Sequence, residues 1–421
     1  MTDHSRPTDT ARPTARPAAP PMLRLALILG LLAAFGPLSI DMYLPAFPAI
    51  ASDLAADPSA VQATLALFFA GLAGGQLIYG PLADRLGRRL PLLAGVVLYT
   101  VGSIGCALAA DVDALVMWRL VQALGGCAGM VMSRAVIRDL FDERGSAIML
   151  ARLMLVMGAA PILAPLIGGQ LLVLAGWRSI FWVLTGAGVL ALVVVALALP
   201  ESLPADRRRR QGVAEIGLTY LRFALDRRFI APALAGGAAM GAMFAYIAGS
   251  PFVFIDLYGV GPGAYGWLFG TNAAGLILAS QLNARFVRGR SPAAIMRMAC
   301  TTQAVAGVSL AAIVATGIAP VGTATGLAML MVPLFLCIAV NGLIMPNATA
   351  VAMSPFGARA GSAAALLGLL QFGTGAISAA LVGALDDGSA WPMAAAIALM
   401  GLASAGFGWW TPRPARPATG P

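Results

Sequence analysis

A carboxylate set inside a long apolar run has one evident chemistry, the uptake and release of a proton, because its ionised form there costs several kcal/mol unless it is paired or wet. Asp41 is the only acid well inside such a run. Arg119, in another apolar run, is the complementary charge. If the first run stays helical to Phe47, Asp41 lies about 9 Å below its end, and Arg119 lies about 8 Å below the start of its own. Equal depth makes Asp41 and Arg119 a candidate proton-coupling pair, in which a change of separation and solvation between two states changes proton affinity. The bland alternative is a static salt bridge between two helices.

Other chemistries lack their residues. His4 is the only histidine, which removes zinc-type clusters and any histidine relay. Cys106, Cys127, Cys300 and Cys337 all sit in apolar segments without metal-ligand spacing and read as small packing thiols, so no metal and no cofactor is expected. All 27 Lys and Arg residues are arginine, so a Walker A lysine is absent and ATP is not the energy source. No second span aspartate and no Ser–His couple supports an enzyme working inside a membrane.

The elements that must carry these charges follow from composition. Hydrophobic residues make up 59% of the 421 and charged ones 11%, against about 25% charged in soluble domains. Mean hydropathy is +0.85. The apolar residues arrive in blocks of about 20, the length that spans a bilayer. Blocks fall near 23–44, 61–82, 90–109, 114–136, 148–174 and 180–199, then 229–255, 265–286, 292–316, 321–344, 360–385 and 391–410. The expected fold is an all-α membrane protein with twelve transmembrane helices in two six-helix halves, residues 22–200 and 229–411. A disordered tail (1–21), a cytoplasmic central loop (201–228) and a C-terminal tail (412–421) complete it.

The net charge of +9 lies between the blocks rather than on one face, so nucleic acid is not the partner. Almost all arginines fall on the side of the two termini, which places both termini in the cytoplasm. Only Arg119 and Arg178 fall toward the other side. The run Arg207 to Arg210 reads as a positive-inside anchor rather than a lipid switch.

The second connection reads Gly80-Pro81-Leu82-Ala83-Asp84-Arg85-Leu86-Gly87-Arg88-Arg89. It resembles the loop signature between the second and third helices of the major facilitator superfamily, which implies a cytoplasmic gate motif. Gly80 would admit a close helix, and Arg138 at the inner end of the fourth span would be a partner for Asp84. Arg119-Leu120-Val121-Gln122-Ala123 is similar to that family's buried-arginine motif, with Ala123 in place of a glycine. Gly158 and Ala164-Pro165-Leu166-Ile167-Gly168-Gly169 resemble its antiporter signature, with Ala164 in place of a glycine.

Phe35 to Pro48, Gly249 to Val253, Gly361 to Ala363 and Ser389 to Met393 further resemble the Bcr/CflA drug-resistance subfamily, bicyclomycin-resistance-like proteins nearest. The resemblance implies a proton-coupled antiporter that exports small lipophilic molecules across the inner (cytoplasmic) membrane, and a monomer is expected. A proton symporter importing a metabolite is the alternative. Polar candidates for the substrate cavity are Tyr43, Gln76, Gln122, Asn272, Asn341 and Gln371, with Gln281 and Asn347 beside them; helix packing explains such amides equally well. The expected partners are thus that substrate, protons and the lipid bilayer.

Overall fold

A computed structural model describes residues 22–208 and 213–412. The N-terminal tail, Arg209 and Arg210 of the arginine run, and residues 413–421 of the C-terminal tail lie outside the described residues.

The first block divides into α1 (Met22–Asp41), a 3-10 turn over Leu44–Ala46 and α2 (Phe47–Asp53). The expected continuous helix to Phe47 is therefore corrected. Pro45 and Pro48 have no N–H to give the carbonyls of Asp41 and Leu44, so the α-helical ladder stops at Asp41. Next come α3 (Pro58–Leu86), α4 (Arg89–Leu108), α5 (Val112–Leu140), α6 (Glu143–Ala175) and α7 (Arg178–Ala198). The short α8 (Val213–Leu225) precedes α9 (Arg227–Pro251), which ends in a π-helical turn over Phe252–Leu257. There follow α10 (Pro262–Phe286), α11 (Pro292–Ala315), α12 (Ala324–Ala339), α13 (Asn341–Met353), α14 (Ala360–Ala384) and α15 (Trp391–Trp410).

Helix ends obey local chemistry. Asp111, Asp142, Ser291 and Thr323 cap α5, α6, α11 and α12 by accepting from Ala114, Gly145, Ala294 and Gly326 N–H groups. Gly87 and Gly176 stop α3 and α6 with φ of 91° and 76°.

Among the described residues, 11 helical segments are long and apolar enough to cross a membrane. The expected span that falls short of this is α10, 25 residues long, diluted by Asn272, Gln281, Asn283 and Arg285. It nevertheless packs in the same bundle, against α6, α12 and α13. The helices before residue 200 pack mainly among themselves, as do those after 227, and the two groups meet along α3 with α14 and α6 with α10. Small residues make close packing within a group possible, as between α3 and α5. A Cβ on Gly71 would lie 2.7 Å from that of Ala123, and one on Gly75 would lie 2.6 Å from that of Cys127. The outer faces carry exposed Leu174, Leu197 and Val332, as a lipid-facing belt requires.

Candidate functional site

Arg119 sits in α5 with 0% exposure. Its Nη1 donates to Gln122 Oε1 at 2.7 Å, Gln122 Nε2 donates to Ser103 Oγ at 2.8 Å, and Ser103 Oγ donates to the Tyr99 carbonyl at 2.8 Å. This chain forms because Gly102 lets α4 approach the α5 backbone, where a Cβ would lie 2.6 Å from Gln122 N. The guanidinium carbon stands 4.1 Å from the Phe68 ring centroid, 4.6 Å from that of Tyr43 and 5.9 Å from that of Phe181. Arg119 Nε and Nη2 have no hydrogen-bond partner. An aromatic cage and one amide thus hold a buried cation in place of a counter-ion.

Asp41 is 4% exposed and is the only buried acid among the described residues. No ion pair joins it to Arg119, which corrects the expected direct pairing. The reason is azimuth. Ser39 and Tyr43 flank Asp41 on the chain and face the N-terminal helices: Ser39 Oγ is 2.8 Å from Tyr99 Oη, and Tyr43 Oη is 3.0 Å from Thr64 Oγ1. Asp41 follows Ser39 by about 200° of helical rotation. It therefore lies off the side of α1 that meets Tyr99, and the turn after it, Leu44–Ala46, packs against α9 and α10 of the C-terminal group.

Gly168 and Gly169 lie at the same seam. A Cβ on Gly168 would strike the Met42 carbonyl, and one on Gly169 would lie 2.7 Å from the Pro262 carbonyl of α10. Successive glycines thus bring α6 against the broken first span on one side and against the C-terminal group on the other. Gly158 makes an ordinary contact, 3.6 Å from Ile277. Helix α6 continues through Pro161 and Pro165.

At the opposite end of the bundle, the loop from Asp84 to Arg89 is organised by Arg88, which is 5% exposed. Arg88 Nη1 donates to Asp84 Oδ1 at 2.7 Å, and its Nε donates to Asp139 Oδ2 at 2.8 Å. Burial alone would lower the Arg88 guanidinium, but the Asp139 and Asp84 carboxylates outweigh that and raise it above its usual value. The expected Asp84–Arg138 contact is replaced by this arrangement: Arg138 is exposed, while Arg88, one turn after Asp84, reaches it directly. Gly80 is also corrected, since a Cβ there would meet nothing within 4 Å.

Two residues of this end were missed in the sequence. Asp139 adjoins Arg138 at the inner end of α5. Glu201 begins the central loop: its Oε1 accepts from Arg88 N at 2.8 Å and Leu203 N at 2.9 Å, and its Oε2 accepts from Arg89 N at 3.2 Å. A carboxylate on the first amides of α4 is favoured by the helix dipole. Gly87 is required beside it, both for its positive φ and because a Cβ would collide with the Glu201 carboxylate. Arg89 Nη2 donates to the Ala196 carbonyl, tying α7 in. Arg85 is exposed at the end of α3.

The polar cavity candidates scatter. Tyr43 and Gln122 belong to the Arg119 cage, and Gln76 is buried against Gly368, where a Cβ would lie 2.8 Å from its amide carbon. Asn341 Nδ2 bonds the Cys337 and Ile338 carbonyls at 3.0 and 3.3 Å, bridging the bend between α12 and α13. Asn347 Nδ2 donates to Asn283 Oδ1 at 2.6 Å. Asn272 Nδ2 donates to Tyr246 Oη at 3.0 Å. Gln371 is half-buried and Gln281 exposed.

A bundle of apolar spanning helices, with buried charges at its inner seam and a charged loop at one end, defines a membrane transporter rather than an enzyme. The chain belongs to the major facilitator superfamily, whose family model matches residues 29–380. An uncharacterized MFS-type transporter, YdgK, of Bacillus subtilis is 39% identical over 90% of this chain and 93% of its own length. A bicyclomycin resistance protein homolog of Haemophilus influenzae is 33% identical over 87% of this chain and 90% of its own. The crystal structure of a D-xylose–proton symporter has the same fold, with a TM-score of 0.70 at 16% identity, covering 90% of this chain and 96% of that one.

Proposed function

We propose that this chain is a proton-coupled antiporter that exports small lipophilic, drug-like molecules across the cytoplasmic membrane. The observation that carries the reading is Asp41: the one buried acid among the described residues, without an ion-pair partner, at a break in the first span. Irregular backbone at membrane depth is tolerated where it lines a site between two helical groups, and a titratable carboxylate there is functional by default. The relatives named for resistance to bicyclomycin and other drugs support export as the direction. In this reading twelve spans form two six-helix halves, both termini are cytoplasmic, and the carrier works as a monomer.

One proton is enough. A charge moving through 100 mV is worth about 2.3 kcal/mol, which at about 1.4 kcal/mol per decade supports a roughly 50-fold gradient of a neutral solute. The test is transport into energised inverted vesicles. Drug accumulation should collapse with the proton-motive force, added substrate should release protons from the lumen, and Asp41→Asn should insert normally but fail at both. Accumulation to the same level after the gradient is dissipated would refute proton coupling, and substrate leaving the lumen under the same gradient would favour the symporter.

A further inference from the structure

Helix α8 (Val213–Leu225) has two apolar faces, and the rest of the chain covers one of them. At about 100° per residue, Tyr220 and Phe223 share one side of the helix, while Leu218, Leu221 and Leu225 share the opposite side. Phe223 is buried, with ring centroids 5.4 Å from Phe229 of α9 and 4.9 Å from Phe356 in the 3-10 turn (Ser354–Arg359) that joins α13 to α14. Tyr220 packs on the same cluster. The three leucines are 48%, 54% and 77% exposed. A continuous apolar stripe is costly in water and calls for a cover.

The level of the stripe in the molecule says what that cover is. Helix α15 begins on Trp391 and ends on Trp410, both exposed, and its 20 residues span about 30 Å, the thickness of the hydrocarbon core. Tryptophan collects at the two boundaries of that core. Trp410, with exposed Trp409 before it, therefore marks the boundary at the end of the bundle where α9 begins. Arg227, the first residue of α9, is fixed to that level. Its Nε and Nη2 donate to the Trp410 carbonyl at 3.0 and 2.7 Å, and its guanidinium carbon lies 5.1 Å from the Trp410 ring centroid. Asp226 alone separates Arg227 from Leu225, so the leucine stripe starts at the same boundary and continues the lipid-facing belt.

The charges beside the stripe fit a phospholipid surface. Arg222 borders the leucines on α8 and Arg228 stands in the first turn of α9, both exposed. Of the nearby acids, Glu215 is about two turns from Arg222 along α8. Asp226 is engaged at the start of α9, where its Oδ1 accepts from Arg228 N at 2.8 Å. An apolar stripe with arginines along its edge is the pattern of a helix lying in the plane of a membrane interface.

We propose that α8 is an interfacial anchor: Leu218, Leu221 and Leu225 lie in the acyl boundary of the adjacent leaflet, the inner one in the topology proposed above, and Arg222 and Arg228 hold anionic phospholipid headgroups there. Because Phe223 packs on both α9 and the turn between α13 and α14, the anchor ties the ends of these helices to the leaflet. The test uses the full chain in lipid nanodiscs. All four cysteines are buried, so a single nitroxide can be placed in turn at Leu218→Cys, Leu221→Cys and Glu215→Cys. Its collisions with oxygen, which dissolves among acyl chains, are compared with those of a water-soluble nickel chelate. In a second arm, a bimane at Leu221→Cys is quenched by nitroxide-labelled phosphatidylglycerol in competition with phosphatidylcholine.

The oxygen-to-nickel ratio at both leucine sites should exceed that at Glu215 about tenfold. Arg222→Gln and Arg228→Gln should each lower the preference for the anionic lipid about fivefold. Equal ratios at Leu221 and Glu215 would leave the stripe in water and overturn the anchor. Leucine labels shielded from both reagents would mean a protein cover, from the other half of the chain or a second copy, and would overturn it as well. An undiminished preference for phosphatidylglycerol in both arginine variants would refute the headgroup contacts.

Discussion

Arg88 and Arg119 are both buried guanidiniums in the N-terminal half, but they are held by opposite means. Arg88 meets two carboxylates, with Glu201 accepting from its own backbone, at an end of the bundle where charged side chains are half exposed. Arg119 meets one amide and three rings, with no acid in contact. Near the membrane surface a carboxylate can be hydrated when the partner moves away, so ion pairs can form and break there at modest cost. Deep in the bundle a second fixed charge would itself need partners, whereas ring faces stabilise a cation without adding an ion. The difference suggests a static charge at Arg119, and at Arg88 a junction able to rearrange.

The sharpest way to break this comparison is at the cage. Arg119→Ala should lower transport at least 100-fold and leave the three rings around a void, whereas Arg119→Lys should retain part of the activity, because an ammonium keeps the charge but loses the planar stacking and the fork. Vesicle transport rates of the two variants, with insertion checked by expression in the membrane, decide it. Equal and normal activity in both would make the cage a packing feature only.

The junction predicts a smaller and graded response. Asp139→Asn should destabilise the detergent-solubilised protein by about 2 kcal/mol, since it takes one carboxylate from a buried guanidinium. Asp84→Asn should cost under about 1 kcal/mol, because the Asp84 side chain is 46% exposed against 14% for Asp139. In transport, Asp84→Asn should slow turnover while leaving drug affinity intact; a defect confined to affinity would contradict a gating role. Thermal unfolding of both proteins in one detergent checks the order.

Glu201→Gln should cost about 1 kcal/mol, because an amide oxygen still accepts from α4 but no longer brings charge to the helix N-terminus. The smallest effect belongs to the far end. Asp53 accepts from Arg178 Nη1 at 2.6 Å and from Trp177 Nε1 at 3.0 Å, but both members of the ion pair are exposed. Asp53→Asn should therefore change stability by about 0.5 kcal/mol or less. A larger loss there than at Asp139 would overturn the ranking by burial.

What the sequence determined by itself is the frame. Blocks of apolar residues of spanning length, arginines gathered between them, and the loop from Gly80 to Arg89 were sufficient for the all-α membrane fold and the superfamily, because these signals are local along the chain. It also marked Asp41 and Arg119 as buried charges. Depth could be counted from the ends of each run, but azimuth could not, since it depends on which neighbours a helix meets. Only the packed bundle brought Tyr43 to the Arg119 guanidinium and Ser39 to Tyr99, and left Asp41 without an ion pair. The same limit hid Asp139 and Glu201, which lie 51 and 113 residues from Arg88. Two carboxylates on one guanidinium and a third on the backbone of the same residue are a property of tertiary structure, fixed when the helices pack.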